Sequence, residues 1–180
     1  MEPSLALQER IKQTIRDIPD FPKPGILFKD ITTLMLDYEL SEKIIDALAY
    51  YWRTQKIGAV TGIESRGFIY GMPLAQRLKV PFIPIRKAGK LPYDTISYAY
   101  DLEYGSAEIE MHKDALAKNQ RVLIHDDLLA TGGTAAAAGS LVETAGAQIA
   151  GFSFIVGLSF LKGESSLRTF TEEIHSLVTY

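Results

Sequence analysis

The chain predicts an α/β fold: a twisted, mainly parallel sheet with helices on both faces, a small N-terminal cover and one β-hairpin. Three observations carry this. Short apolar runs of strand length alternate with stretches that are apolar at helical spacing, the pattern of successive β-α-β units. Ser97–Met111 departs from it, with the period-two alternation of a hairpin turning near Tyr104–Ser106. Phe21–Gly25, with prolines at 22 and 24, can be neither helix nor central strand and must be an ordered loop or cover.

Each element follows in order. Leu5–Arg16 is amphipathic at helical spacing and stops at Pro19. Ser41–Thr54 is a second helix with Ile44, Ile45, Leu48 and Trp52 on one face, and that spacing makes Trp52 a core residue rather than a ligand stacker. Ala59–Ile63 is a short strand, Phe68–Leu78 a helix, Pro81–Ile85 a strand and Arg121–His125 another. Thr134–Ala145 is a helix built on Ala135–Ala138, and Gly146 can end it in the left-handed conformation. Gln148–Leu158 is a long buried strand. Glu64-Ser65, Arg86-Lys87, Asp126-Asp127 and Leu158 all fall at strand carboxyl ends, the edge where open parallel sheets bind ligands.

Composition bounds the class. At 180 residues the chain fits one domain, 1–180, able to bury a sizeable core, and 47% hydrophobic residues are ordinary for a globular protein. No apolar run approaches the roughly 18 residues that span a bilayer, and Met1-Glu2-Pro3-Ser4 lacks the start of a secretory signal. The absence of cysteine excludes disulfides and thiolate metal sites. A net charge of −3 argues against general nucleic-acid binding. A soluble cytoplasmic protein is expected, with no nucleic-acid and no membrane partner.

The most informative stretch runs from Val122 to Thr134. A buried strand stops at Asp126 and Asp127, a small-residue loop follows (Ala130-Thr131-Gly132-Gly133-Thr134), and a helix begins. The amides of such a turn point into one concavity, where the helix dipole adds partial positive charge. Charge-assisted hydrogen bonds contribute about 1.5–3 kcal/mol each and the dipole about 0.3–1, so the amides of Thr131–Thr134 do most of the phosphate holding. Neighbouring strand side chains face opposite sides, so two adjacent carboxylates share one ligand only where a strand has ended. They accept but do not donate, which suits the two hydroxyls of a vicinal diol. A ribose diol with its 5′-phosphate in the loop satisfies both halves. His125, just before the acids, either packs under the loop or shifts the pKa of Asp126 by proximity, and packing is the simpler role.

Cations gather at the neighbouring strand ends. Gly62-Ile63-Glu64-Ser65-Arg66-Gly67 mimics the spacing of a P-loop, but Lys-Ser/Thr does not follow the second glycine, so a nucleotide-triphosphatase role fails. Gly67 allows close backbone approach to a ligand, and Arg86, Lys87 and Lys90 follow another strand, with Gly89 between them. Guanidinium and ammonium groups brought to one edge favour pyrophosphate over a solvated basic loop. His112, His125 and His175 show no metal-ligand spacing.

These residues resemble the signature of the type I phosphoribosyltransferases, which bind 5-phosphoribosyl 1-pyrophosphate (PRPP). Further stretches narrow the resemblance to the adenine-specific branch: Phe21–Ile31, Glu64–Phe68, Ile85–Pro92 and Tyr100–Gly105. The family's order and spacing hold from about residue 18 to residue 163. The resemblance implies transfer of a ribosyl group from PRPP to adenine, giving AMP and pyrophosphate in purine salvage. It implies a base-binding hood within residues 1–35, a core over 36–180 and a flap over about 88–111. Pyrophosphate binding is carried onto Ser65, Arg66, Arg86, Lys87 and Lys90, and adenine binding onto Leu27, Phe28, Lys29 and Leu158. Phe28 would stack on the base, and Lys29 stands where some relatives carry Arg. Arg66 and Glu103 are the implied catalytic residues, Glu103 as proton donor near the purine N7, with Tyr104 in the flap. Mg²⁺ is the implied cofactor, carried mainly by PRPP rather than by a protein site, and a homodimer is the implied assembly. Two other functions stay open: a sister transferase for another base (hypoxanthine, xanthine or orotate), and a PRPP-sensing protein without turnover. The hood and Tyr100–Gly105 disfavour the first; Glu103 and the full cation set disfavour the second.

Overall fold

A computed structural model describes residues 4–102 and 105–180. The cover comes first. Helix α1 (Leu5–Thr14) begins at Ser4, whose side chain accepts the Leu7 N–H, and ends two residues before the expected Arg16. Arg16 is extended: β1 (Arg16–Pro19) pairs antiparallel with β2 (Leu27–Asp30), setting Asp17 opposite Lys29 and Ile18 opposite Phe28. The proline-rich loop Phe21–Gly25 is therefore the connection of a small hairpin. Its Phe21–Pro22 bond is cis, and Asp20 accepts the Gly25 N–H where Gly25 adopts φ 86°. Neither strand was expected, because four residues without a buried-exposed alternation are too short to read as a strand.

A short helix α2 (Thr32–Met35) leads to α3 (Tyr38–Trp52), capped by Asp37 accepting the Leu40 N–H. Leu40, Ile44, Ile45, Leu48 and Trp52 all face inward, so the helical spacing read from sequence is borne out. Trp52 is fully buried against β9, at a point where only a glycine, Gly151, leaves room for the indole.

The main sheet is made of β3 (Ala59–Ile63), β4 (Phe82–Lys87), β5 (Thr95–Leu102), β6 (Gly105–His112), β7 (Arg121–His125), β8 (Leu128–Leu129), β9 (Gln148–Gly157) and β10 (Ile174–Thr179). Across the sheet the order is β10-β9-β7-β3-β4-β6-β5, with β8 pairing β9. From β10 to β4 every pairing is parallel; β6 and β5 add an antiparallel hairpin. Counting only the parallel strands along the chain, the order is 2-1-3-4-5, which reverses direction between β3 and β7. That reversal opens a crevice at the carboxyl edge.

Helix α4 (Arg66–Leu78) packs with α1 and α3 on one face, over Val60, Leu123 and Ile155. Helices α5 (Gly133–Thr144) and α6 (Glu164–Leu167) lie on the other, over Ile63, Ile124 and Phe154. Gly146 follows α5 with φ 76°, as its place in the sequence requires. Several boundaries differ from expectation, α3 starting at Tyr38 and α4 at Arg66 among them. β4 runs on to Lys87 because Arg86 and Lys87 pair with Glu110 and Ile109 of β6, so these two cations lie on a strand rather than after it. Ser106 is a strand residue paired with Asp101, and Leu102 pairs with Gly105. β10 and α6 were not expected; β10 is an edge strand fixed by its parallel pairing to β9.

Candidate active site at the carboxyl edge of the sheet

The acid pair sits in a break in an otherwise continuous pairing. β7 stays in register with β9 as far as His125 opposite Ser153, and β8 resumes at Leu128 opposite Val156. Between them the Asp126 N–H donates to the Ser153 carbonyl, and the Asp127 carbonyl accepts from both Ile155 and Val156. The strand has ended at the two acids, as a shared-ligand geometry demands.

Their environments are unequal. Asp126 lines a cavity of about 90 Å³ together with the loop Ala130–Thr134. Burial, then the charge of Asp127, raise its pKa well above the ordinary value. Asp127 is 2% exposed, and its Oδ2 lies 2.6 Å from Arg66 Nε. One carboxylate therefore faces the loop cavity while the other holds the first residue of α4. Gly67 brings that helix onto the acid pair: a Cβ there would lie 2.9 Å from Asp126 Oδ1 and 3.0 Å from the His125 carbonyl. The close backbone approach that Gly67 allows is made here to the protein's own acid pair.

The loop is braced from two sides. Gly132 starts α5 at φ 85° with no side chain capping the helix, and Gly132–Ala135 at its start line the cavity. Behind it, Gly163 packs backbone to backbone against Ala130 and Gly132, closely enough that a Cβ on either glycine would collide. In front, the Tyr100 hydroxyl lies 3.2 Å from Thr134 Oγ1, joining hairpin to loop.

The cations are partly tied among themselves. Arg86 places Nε 3.3 Å and Nη2 2.9 Å from the Glu64 carboxylate and donates through Nη1 to the Lys90 carbonyl. Glu64 also accepts the Lys87 N–H, and the Arg86 guanidinium, chief among these contacts, holds its pKa below the ordinary value. Glu110, 5% exposed, accepts the N–H groups of Lys90 and Leu91 at 2.8 Å and fixes the loop that carries Lys90. Lys87 and Lys90 are exposed. Lys87, Glu64, Tyr100 and Thr134 line a second cavity of about 390 Å³, so the cation-bearing strand end and the Ala130–Thr134 loop open onto one space. Ser65 is exposed at the start of α4 after a cis peptide bond from Glu64, and its side chain caps nothing.

The hood residues sit on β2. Leu27 is exposed, and Phe28 packs edge-on to Phe21 with ring centroids 5.1 Å apart. Lys29 turns its ammonium to Asp17 Oδ1 at 2.6 Å and over the Tyr180 ring at 4.1 Å. Leu158, half-buried, donates its N–H to Leu129 at the end of β8. Glu103 and Tyr104 lie outside the described residues. His125 is fully buried beside Gly71 of α4, and burial lowers its pKa to about 4 against the pull of Asp127. It is a packed, neutral core residue.

Gly163 and Tyr180 escaped sequence reasoning as site elements, and Glu64 and Tyr100 were placed at the site without a role. A signal existed for Glu64, an acid one residue from Ser65 at a strand end facing a basic segment. None existed for Gly163 or Tyr180, whose contacts are made by distant parts of the chain.

Comparisons with known proteins agree with this geometry. Residues 34–168 match the phosphoribosyl transferase domain family. The chain is 53% identical over 170 residues to an adenine phosphoribosyltransferase of Ureaplasma parvum, covering 94% of this chain and 96% of that one. It superposes on the crystal structure of adenine phosphoribosyltransferase from Thermoanaerobacter pseudethanolicus with a TM-score of 0.92 at 47% identity, covering 96% and 99% of the two chains. The Saccharomyces cerevisiae adenine phosphoribosyltransferase, complexed with D-2,5-dideoxy-2,5-imino-altritol 1,6-bisphosphate and adenine, superposes with a TM-score of 0.91 at 39% identity over 97% and 99%.

Proposed function

This chain belongs to the phosphoribosyltransferase family, among its adenine phosphoribosyltransferases, and from that premise we propose how its residues divide the reaction. Adenine and PRPP give AMP and pyrophosphate: the bond from N9 to the ribose C1′ forms, the C1′–oxygen bond to pyrophosphate breaks, and N9 loses its proton. The observation that carries the assignment is the unequal acid pair at the crevice between β3 and β7, one carboxylate on a phosphate-sized loop cavity and the other on Arg66.

The amides of Ala130–Thr134 take the 5′-phosphate at the start of α5, where donors and dipole act together. Asp126 and Asp127 accept from the ribose diol, Asp126 directly on the cavity side. Ser65, Arg66, Arg86, Lys87 and Lys90 receive the pyrophosphate. Its charge grows as the C1′–oxygen bond lengthens, so fixed cations stabilise the transition state more than bound PRPP. Adenine lies between Phe28 and Leu158, its edge read by the main chain of Leu27–Lys29. Adenine sheds a proton in this direction, which Glu103 accepts and in the reverse reaction returns near N7, and Tyr104 with the rest of the flap excludes water. A Glu103→Gln variant then loses single-turnover rate while keeping PRPP affinity.

PRPP enters as its Mg²⁺ complex, the metal being part of the substrate. Among the described residues no three His, Asp or Glu side chains gather as a metal site, and Glu64 and Asp127 already face arginines. That donor set does not fit a resident cation. The protein acts as a homodimer in the cytoplasm, in purine salvage. Exposed Leu36, Tyr38, Ile69 and Met72 supply apolar surface for a second copy, and no helix among the described residues is long and apolar enough to cross a membrane.

The test is a base panel: protein, Mg²⁺ and PRPP incubated with adenine, hypoxanthine, xanthine or orotate while pyrophosphate is measured. Rapid release with adenine alone is the expected result. Release as fast with hypoxanthine overturns the base assignment, and silence with every base overturns catalysis.

A further inference from the structure

Tyr180 joins two parts of the chain that the sheet leaves apart. Its backbone is fixed on both sides of Leu158: the Tyr180 N–H donates to the Gly157 carbonyl at 2.9 Å, and its carbonyl accepts the Ser159 N–H at 3.0 Å and the Ser159 hydroxyl at 2.5 Å. The ring faces the hood. Lys29 Nζ stands 4.1 Å from its centroid and Lys12 Nζ 5.2 Å, while the hydroxyl reaches the Lys12 carbonyl at 3.5 Å. The Lys29 side chain is only 11% exposed and is also bound to Asp17, its cross-strand partner. A desolvated ammonium over an aromatic face sits at the strong end of such contacts.

Lys29 follows Phe28 on β2, and Ser159 follows Leu158 after β9. The contacts Lys29–Tyr180–Ser159 therefore run in parallel with the gap between the two side chains assigned to the faces of adenine. We propose that Tyr180 is a positioning residue for the base pocket: it fixes the hood against the Leu158 edge through Lys29 and so determines adenine affinity without touching the base. The proposal rests on the adenine assignment above, and it makes Lys29 a latch rather than a base reader.

The experiment compares wild type with Y180L, Y180F, Y180W, K29M and the Y180L/K29M double variant. Steady-state kinetics are read beside hydrogen exchange at the Leu27–Asp30 amides of the free protein. Y180L and K29M are expected to raise KM for adenine about fivefold, with KM for PRPP and kcat changed less than about twofold. Y180F and Y180W keep the aromatic face and retain wild-type values. The double variant is no worse than either single one, because both remove the same contact. Exchange at Leu27–Asp30 accelerates in Y180L and K29M but not in Y180F. An unchanged adenine KM in Y180L, an equal rise in KM for PRPP, or unchanged exchange overturns the proposal. Additive effects in the double variant overturn it in favour of a direct Lys29 contact with the base. K29M leaves the β9 edge intact, so the proposal stays exposed to refutation even where Y180L fails to fold. Wild-type silence with adenine overturns the function instead, and the exchange data still decide the tether.

Discussion

Arg66 Nε stands 2.6 Å from Asp127 Oδ2, and this one ion pair spans the crevice where the sheet order reverses. Asp127 is buried, whereas the Arg66 side chain is 46% exposed, so the pair has one sealed and one open end. The bond uses Nε, which leaves the terminal nitrogens of the fork for an incoming anion. On the proposed division of roles, buried Asp127 positions Arg66 while the exposed end of its guanidinium is turned to pyrophosphate.

A lysine cannot do both. R66K keeps the charge but offers a single point donor, which must choose between Asp127 and pyrophosphate. We expect kcat/KM for PRPP to fall at least about tenfold in R66K and further in R66A. R66K activity within twofold of wild type contradicts the division of the guanidinium.

The unequal acids should respond oppositely to neutralisation. Burial and the charge of Asp127 raise the pKa of Asp126 above its ordinary 3.8. A carboxyl raised on folding adds stability that is fully present below its unfolded pKa and lost as pH rises through the folded one. At pH 7, above the unfolded pKa, Asp126 therefore opposes folding of the free protein, and D126N should raise Tm while weakening PRPP binding measured by calorimetry. D127N instead removes the charge from a charge-assisted bond of about 1.5–3 kcal/mol, offset in part by relief of repulsion with Asp126. D126N should thus melt above D127N at pH 7. The reverse order is incompatible with the two environments.

The Tyr100 hydroxyl on Thr134 couples hairpin to phosphate loop. Y100F removes one neutral hydrogen bond, of about 0.5–1.5 kcal/mol, and keeps the ring. If the contact helps hold the loop for phosphate, KM for PRPP rises about two- to tenfold with little change in Tm. A lower Tm with unchanged KM assigns the bond to hairpin stability alone.

What sequence could reveal follows from where the determinants lie. Ala59–Ile63 and Arg121–His125 were bounded correctly because β3 is buried at every position and β7 at all but its first, so each reads as an apolar run with sharp ends. The hood strands, four residues each and with no fully buried position, carry no such pattern. The acids and the glycine-threonine loop were legible because they are contiguous. Arg66 and Asp127 are 61 residues apart, and nothing in either segment announces that they meet. Lys29 shows the same limit more sharply: the resemblance implies a base contact for it, and nothing in its own segment announces that cross-strand Asp17 and distant Tyr180 hold its ammonium.

His125, unexplained by its neighbours in the motif, makes a prediction about pH. Burial lowers its pKa from 6.5 to about 4, so the folded protein holds it neutral. Above pH 6.5 the imidazole is neutral in both states and its contribution to stability is complete. Between 6.5 and 4 the unfolded chain takes up a proton that the folded one refuses, so stability falls with decreasing pH by up to about 1.4 kcal/mol per unit. Below about 4 the two states bind equally and the loss stops growing. His175, also lowered to about 4 by burial, behaves the same way in any variant that keeps it, so the difference between wild type and H125L isolates His125. Leucine is the informative substitution because it fills part of the space beside Gly71 and takes up no proton. Urea denaturation at pH 7 and pH 5 should show the stability of wild type relative to H125L dropping by about 2 kcal/mol. Parallel pH dependence in the two proteins would mean that His125 is protonated inside the fold, and the packed neutral imidazole would have to be abandoned.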